Sequence, residues 1–220
     1  MYKFFCESKE NDYFILDEET QKHLKVIRIK EQNFLINYNN DFYLCNFVFP
    51  NKAVIKEKLD INNELDFEII VALPFIKQNH FEIALQKCVE LGATQIIPFV
   101  SKYTDKSNIN FETKKNRYQK IILEASQQSF RNKIPKLENV LNYEEILNIN
   151  IKNKILAYEN KKDNKLKVIK EDTLLIVGPE GGFSNEEIEK AIDKNVSIVS
   201  LTKTILRTET AIIYMLSKII

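Results

Sequence analysis

Leu174-Leu175-Ile176-Val177-Gly178-Pro179-Glu180-Gly181-Gly182-Phe183-Ser184-Asn185-Glu186-Glu187-Ile188 reads as a strand, a glycine-rich turn and a helix start. The apolar run at its head has the length of a buried strand. Ser184 with Glu187 forms a capping-box pattern, which opens a helix. The chain holds 4 glycines in 220 residues, and Gly178, Gly181 and Gly182 all fall in this turn. Glycine permits backbone angles and close approaches that other residues forbid. A plain strand-to-helix turn needs one glycine, so three point to a turn built against a ligand. The pattern is not Gly-x-Gly-x-x-Gly and lacks the lysine and Ser/Thr of a phosphate loop. Backbone amides and carbonyls suit instead a ligand with adenine-like edges and a zwitterionic tail.

Around this turn, strands alternate with helices from about residue 67 to 220. Leu65–Leu73, ended by Pro74, reads as a strand. Phe81, Ala84, Leu85, Cys88 and Leu91 form a helical stripe that stops at Gly92, a C-cap residue. Gln95–Val100 is a strand whose Pro98 predicts an irregular or edge position. Residues 114–130 predict a helix, residues 156–158 and 196–201 further strands, and residues 208–218 the last helix. The lysine-rich loop at 160–167 reads as solvated surface. Such alternation indicates an α/β domain with a largely parallel sheet, whose ligands sit beyond the carboxyl ends of strands. Two loops occupy that place, Gly178–Phe183 and Thr202–Arg207.

Residues 1–66 read differently. Tyr13–Leu16, Phe34–Tyr38, Phe42–Phe49 and Ala53–Leu59 are short strands, the second and third joined by a glycine-free turn at Asn39-Asn40-Asp41. Between the first two lies a basic segment, Thr20–Lys30. Several short strands without a long helix predict a small barrel or sandwich-like module.

Composition bounds the function classes. Hydrophobic content of 44% and charged content of 29% are ordinary for a globular protein. No apolar run reaches the length of a membrane span and the first residues lack a signal-peptide core, so the expected address is cytoplasmic. Cys6, Cys45 and Cys88 are scattered without metal-type spacing and read as small core residues in a reducing compartment. With only His23 and His80, a multi-histidine metal site is excluded and no metal is expected. Of 32 lysines and arginines, only Arg28, Arg117, Arg131 and Arg207 are arginine. Arginine offers a planar fork for phosphates and for base or carboxylate edges, so in a chain that otherwise chooses lysine each is a candidate specific contact.

Three segments together, Gly178–Ser184, Leu206-Arg207-Thr208-Glu209-Thr210-Ala211 and Glu124-Ala125-Ser126-Gln127-Gln128-Ser129-Phe130-Arg131-Asn132, resemble the bacterial small-subunit ribosomal RNA uridine-N3 methyltransferases. That family belongs to the SPOUT class of trefoil-knotted S-adenosylmethionine (SAM) enzymes. His23-Leu24 with Val26-Ile27-Arg28 resembles its N-terminal motif, and Phe81-Glu82 through Glu90-Leu91-Gly92-Ala93 the helix that opens its second domain. The chain departs from the family pattern at Thr202 and Phe130, where glycine is usual, at Gln127, where glutamate is usual, and at Ser101–Thr104.

The resemblance implies a fold of class α/β: an N-terminal PUA-like, OB-related β-barrel for RNA over residues 1–66, and a SPOUT methyltransferase domain with a trefoil knot over residues 67–220. The second domain would form a homodimer, with no membrane partner. The substrate would be N3 of a uridine in 16S ribosomal RNA of the small subunit. The cofactor would be SAM, held by Leu156, Tyr158, Val177, Gly178, Pro179, Gly182, Leu201, Thr202, Leu206 and Thr208. Arg131 and Arg207 would stabilise charge on the reacting base, and Glu209 would orient an arginine or accept the proton. Lys25, Arg28, Lys114, Lys115, Arg117 and Lys120 would bind RNA phosphates. The alternatives are a non-catalytic RNA-binding protein of ribosome assembly, and a SPOUT enzyme acting on another base or a ribose.

Overall fold

A computed structural model describes residues 1–29, 32–161 and 164–219. Lys30 of the basic segment, and Lys162 and Asp163 of the lysine-rich loop, lie outside the described residues. Two compact units divide the chain. The first comprises Met1–Glu64 with Ser126–Lys133, the second Leu65–Ala125 with Ile134–Ile220. The division falls two residues before the expected one, and Ser126–Lys133, expected in the second domain, packs with the first.

In the first unit the strands are β1 (Lys3–Phe5), β2 (Lys9–Glu10), β3 (Tyr13–Ile15), β4 (Phe34–Tyr38), β5 (Asp41–Val48) and β6 (Lys52–Leu59). They form one mixed, barrel-like sheet in the order β1-β4-β5-β6-β3-β2, parallel only at β1–β4. No pairing between β1 and β2 closes the ring among the described residues. The β4–β5 turn has positive φ at both Asn39 (51°) and Asn40 (68°). That geometry matches the right-handed twist of paired strands, and asparagine tolerates it. Inward-facing Phe4, Phe14, Phe34, Ile36 and Cys45 fill the core of this unit.

Most of the basic segment folds into a short helix, α1 (Glu18–Val26), to which sequence reading assigned no element. Asp17 accepts the Thr20 amide at 2.7 Å as N-cap, acidic Glu18 and Glu19 sit in the first turn, and Thr20 and Leu24 bury one stripe. Its end is unusual. Arg28 takes a left-handed φ of 52° while the Ile29 amide donates back to the Leu24 carbonyl. That is a Schellman-type stop, normally given to glycine.

The second unit carries β7 (Ile69–Pro74), α2 (Gln78–Glu90), β8 (Gln95–Val100), α3 (Phe111–Gln128), β9 (Lys136–Leu137), β10 (Leu141–Asn142), α4 (Tyr143–Leu147), β11 (Asn153–Ala157), β12 (Thr173–Ile176), α5 (Asn185–Asp193), β13 (Ser197–Val199) and α6 (Thr208–Leu216). All its strand pairs are parallel, in the order β10-β8-β7-β12-β11-β13, with β9 also on β8. Two cores cover its faces, one led by Phe75, Phe81 and Tyr118 and the other by Phe99, Tyr143 and Ile176. Cys45 and Cys88 are buried in the cores and Cys6 is half-buried, all three as free thiols.

Pro98 is not at an edge. β8 has β7 on one side and β9 and β10 on the other, and those two short strands pair only with residues 95–96 and 99–100. Phe99 accepts from Phe75 on the β7 side, and Ile96 accepts from Glu138 on the β9 side. Alternation along the strand therefore turns the nitrogen of Pro98 to the gap between β9 and β10, where no donor is needed.

Candidate functional site

Because β12, β11 and β13 are neighbours, the loops leaving their carboxyl ends meet at one place. They enclose a cleft of about 750 Å³ in the second unit, a volume suited to a small molecule. Tyr158, Val177, Gly178, Pro179, Gly182, Leu201, Thr202, Leu206 and Thr208 all line it, as do Arg207 and Glu209. Leu156 does not. Its side chain is buried in the core beneath the other face of the sheet, and the next residue, Ala157, meets the cleft instead. Successive strand residues point to opposite faces, so an offset of one residue changes sides.

Each cleft glycine meets a different constraint. A Cβ on Gly178 would stand 3.2 Å from the Phe183 ring, and one on Gly181 only 2.8 Å from Cβ of Tyr103. Gly182 has φ +68°, and its amide closes a turn onto the Pro179 carbonyl at 2.9 Å. Just beyond the turn, Ser184 caps α5 and Glu187 receives both its amide and its hydroxyl. The other Glu187 oxygen accepts the Lys102 amide at 2.9 Å, fastening the loop after β8 to the helix start. That loop holds Ser101–Thr104, one of the places where the chain departs from the family pattern.

The last loop is joined to the glycine turn by the Thr208 hydroxyl, which donates to the Gly178 carbonyl at 2.8 Å. Thr202, standing where glycine is usual, turns its hydroxyl onto its own loop and donates to the Thr204 carbonyl at 2.6 Å. Arg207 and Lys77 occupy the N-cap positions of α6 and α2 without a side-chain cap bond. Both residues line the cleft; no side chain caps the first-turn amides of α6, while in α2 the His80 amide turns back onto the Lys77 carbonyl at 2.9 Å.

The arginines divide sharply. Arg207 is exposed, and its guanidinium has no hydrogen bond or ion pair among the described residues. Arg131 is in the first unit, 4% exposed, and binds Glu64 bidentately through Nε and Nη2. Glu64 also accepts the amides of Asn132 and Lys133. Burial pushes the Glu64 carboxyl up, and the Arg131 pair with these amides outweighs it, leaving it below its ordinary value. Arg131 is not among the residues that line the cleft, and its bond to Glu64 lies inside the first unit. Phe130 before it has φ 59°, a left-handed position ending α3 in which the family's glycine would be unstrained. The Lys3 ammonium lies 3.2 Å above its ring centroid.

Among the residues expected to bind RNA, Lys25 and Arg28 are exposed in the first unit. Lys114, Lys115, Arg117 and Lys120 open α3 in the second. Arg117 is engaged by Glu82 through two hydrogen bonds of 2.6 and 2.7 Å, and the Arg117 bond holds the Glu82 carboxyl below the usual range. Lys115 reaches Asn139 at 3.2 Å, and Lys120 lies 3.9 Å from Glu124.

The cleft also contains two residues that sequence reading passed over, Lys77 and His80, which follow β7; Glu159, at the end of the expected stretch Leu156–Glu159, lines it as well. The carboxyl-end rule applied to β7, next to β12 in the sheet, would have found the first two. Among the described residues no cluster of three or more His, Cys, Asp or Glu is arranged to hold a metal ion, and no helix is long and apolar enough to cross a membrane.

The family model described as "RNA methyltransferase domain" matches residues 63–220. The chain is 41% identical over 225 residues to the ribosomal RNA small subunit methyltransferase E of Mesomycoplasma hyopneumoniae, covering 100% of this chain and 99% of that protein. To the protein of the same name from Bacillus subtilis it is 31% identical over 230 residues, covering 94% and 89%. Its structure is similar to that of a Neisseria gonorrhoeae ribosomal RNA small subunit methyltransferase E bound to SAM. The TM-score is 0.89 at 26% identity, covering 99% of this chain and 95% of that one.

Proposed function

This chain belongs to the RNA methyltransferase family, and we propose that it is a SAM-dependent methyltransferase acting on N3 of a uridine in 16S ribosomal RNA of the small subunit. The observation that carries the reading is the cleft itself. Two of its three loops are joined through Thr208 and Gly178, Gly178 and Gly181 stand where a Cβ would crowd a neighbour, and Arg207, without a partner among the described residues, is on its wall. The lining fits SAM in kind. Val177, Leu201 and Leu206 offer apolar walls, and loop amides and carbonyls offer polar edges. When bound, SAM supplies a methyl group already activated on a sulfonium.

The remaining tasks fall to the chain. N3 of uridine carries a proton, and when it leaves the negative charge spreads onto the two flanking carbonyl oxygens. The Arg207 guanidinium, with the uncapped first turn of α6 behind it, is suited to stabilise that charge. Glu209, on the same helix turn, either holds a cationic partner in place or receives the proton. Exposed Lys25 and Arg28, with half-buried Lys114 and Lys115, supply phosphate contacts, which make binding salt-dependent. Arg117 and Lys120 would join them only by loosening their present carboxylate partners. The trefoil knot, the PUA-like character of the first unit, a homodimer through the second unit and a cytoplasmic address belong to the same proposal. Their support is the likeness to relatives over the whole chain.

The test has two parts. SAM binding is measured by calorimetry on the wild type and on Gly182→Trp, and modified nucleosides are mapped in ribosomal RNA from cells lacking the protein. Binding abolished by the tryptophan, together with loss of one 3-methyluridine from the small-subunit RNA, supports the reading. Wild-type protein that binds no SAM at millimolar ligand overturns it and leaves an RNA-binding assembly protein.

A further inference from the structure

We propose that His80 is the proton acceptor for uridine N3, with Glu209 holding its imidazole in the reactive orientation; this rests on the methyltransferase reading above. His80 is in the first turn of α2 and Glu209 in the first turn of α6, two helices that pack against each other. Nδ1 of His80 lies 3.9 Å from Oε1 of Glu209, and both side chains are largely buried, at 23% and 15% exposure. Both line the cleft that Arg207 also lines. A carboxylate beside Nδ1 favours the tautomer with hydrogen on that nitrogen, which leaves the Nε2 lone pair free to take a proton. His80 is the one histidine among the residues that line the cleft, and imidazole is the side chain most often used as a general base.

The step balances simply. The N3–H bond breaks, the proton goes to Nε2, and the electron pair stays on the uracil ring, where Arg207 faces the charge on the carbonyl oxygens. N3 then accepts the methyl group as the sulfonium becomes a neutral thioether. The imidazolium, beside the Glu209 carboxylate, returns its proton to solvent through the exposed part of the ring. The charged groups that line the cleft with His80 include Lys77 on its own segment, and Arg207 and Glu209 from the α6 side. Arg117 of α3 is tied to Glu82, and Glu159 and Glu180 are on the cleft wall. Lys77 and Arg207 disfavour a second positive charge there until Glu209 offsets them.

The chain has only two histidines, so ring ¹⁵N spectra of the full-length protein resolve His80 once His80→Gln assigns it. The expected result is a neutral His80 protonated on Nδ1, reverting toward the Nε2–H form in Glu209→Gln. In single-turnover methylation of unmodified small subunits, His80→Gln should slow the reaction about 100-fold, the lower range of general-base contributions. It should also abolish the acid limb of the wild-type pH–rate profile while binding SAM within about twofold of wild type, an expectation for a group that acts on the base and not the cofactor. An Nε2–H tautomer in the wild type, or a His80→Gln enzyme with wild-type rate and acid limb, overturns the proposal. Wild-type protein that methylates no uridine at N3 overturns instead the reading beneath it, and does so without any His80 variant.

Discussion

The Thr208 hydroxyl donates to the Gly178 carbonyl across 2.8 Å, joining two loops 30 residues apart in the chain. One is the glycine turn after β12, the other the segment that starts α6. The bond is part-buried and sets the distance between opposite walls of the cleft. Thr208→Val keeps the shape and removes the donor. It should cost about 1 kcal/mol of stability, the net worth of one such bond. It should also weaken SAM binding by about tenfold, as the walls lose their common anchor. Calorimetry and thermal unfolding measure the two effects, and Thr208→Ser should recover most of both.

Gly181 is fixed by a neighbour and not by its own backbone angle. A Cβ there would meet Tyr103 Cβ at 2.8 Å and the Tyr103 carbonyl oxygen at 3.3 Å. Gly181→Ala should therefore destabilise by about 1–3 kcal/mol, the usual cost of overpacking, and loosen the cleft. Denaturant unfolding reads the first effect. Adding Tyr103→Gly should restore part of the loss, which a purely conformational role for Gly181 would not allow.

Arg207→Ala should lower the single-turnover methylation rate by about 10²–10³, the range for losing one preorganised donor to a developing oxyanion. SAM affinity and thermal midpoint should change little, because the guanidinium is exposed and has no partner among the described residues. A parallel fall in SAM affinity would instead make Arg207 a cofactor contact.

Arg131→Ala should act on folding. It strands the Glu64 carboxylate in a site where both side chains are nearly buried, at 5% and 7% exposure. Breaking one side of such a pair costs about 3–5 kcal/mol. The pair also predicts a pH dependence. Glu64 titrates lower when folded than when unfolded, so its contribution is present above the unfolded carboxylate value of about 4.3 and is lost as pH falls through the folded value. Glu64→Gln should remove that component of acid destabilisation. Thermal midpoints measured from pH 7 down to pH 3 decide it.

Scarcity made the cleft legible in the sequence. In a chain with 4 glycines and four arginines, clustering of either type carries information, and the Gly178–Ser184 turn with Arg207 was visible for that reason. The Asn39-Asn40 turn was equally plain, because few residues accept two positive φ values in succession. The burial of the Leu156 side chain was not legible, because a short strand shows where the chain runs but not which face each residue takes. Arg131 and Glu64 are 67 residues apart, and no local pattern records such a pairing. The helix at Glu18–Val26 was hidden by its weak apolar stripe and its basic end, and its cap at Asp17 was the signal to use. His80 is in the first turn of the helix after β7, a strand whose place beside β12 only the fold reveals.

The segment Ser126–Lys133 has a consequence for how this protein can be cut or inherited. It leaves the second unit in mid-helix, supplies Arg131 and Asn132 to the first, and returns. Asn132 alone bonds Asn37, Asn40, Ile61 and Asn63. A fragment ending at Glu64 would therefore lack the residues that satisfy its own interior, and a fragment beginning at Leu65 would carry an orphaned insert. Neither half is a transferable module. Recombination that swaps one unit by a single crossover, as tandem domains allow, would fail here; an exchange would need three matched breakpoints, so the two units should be passed on together.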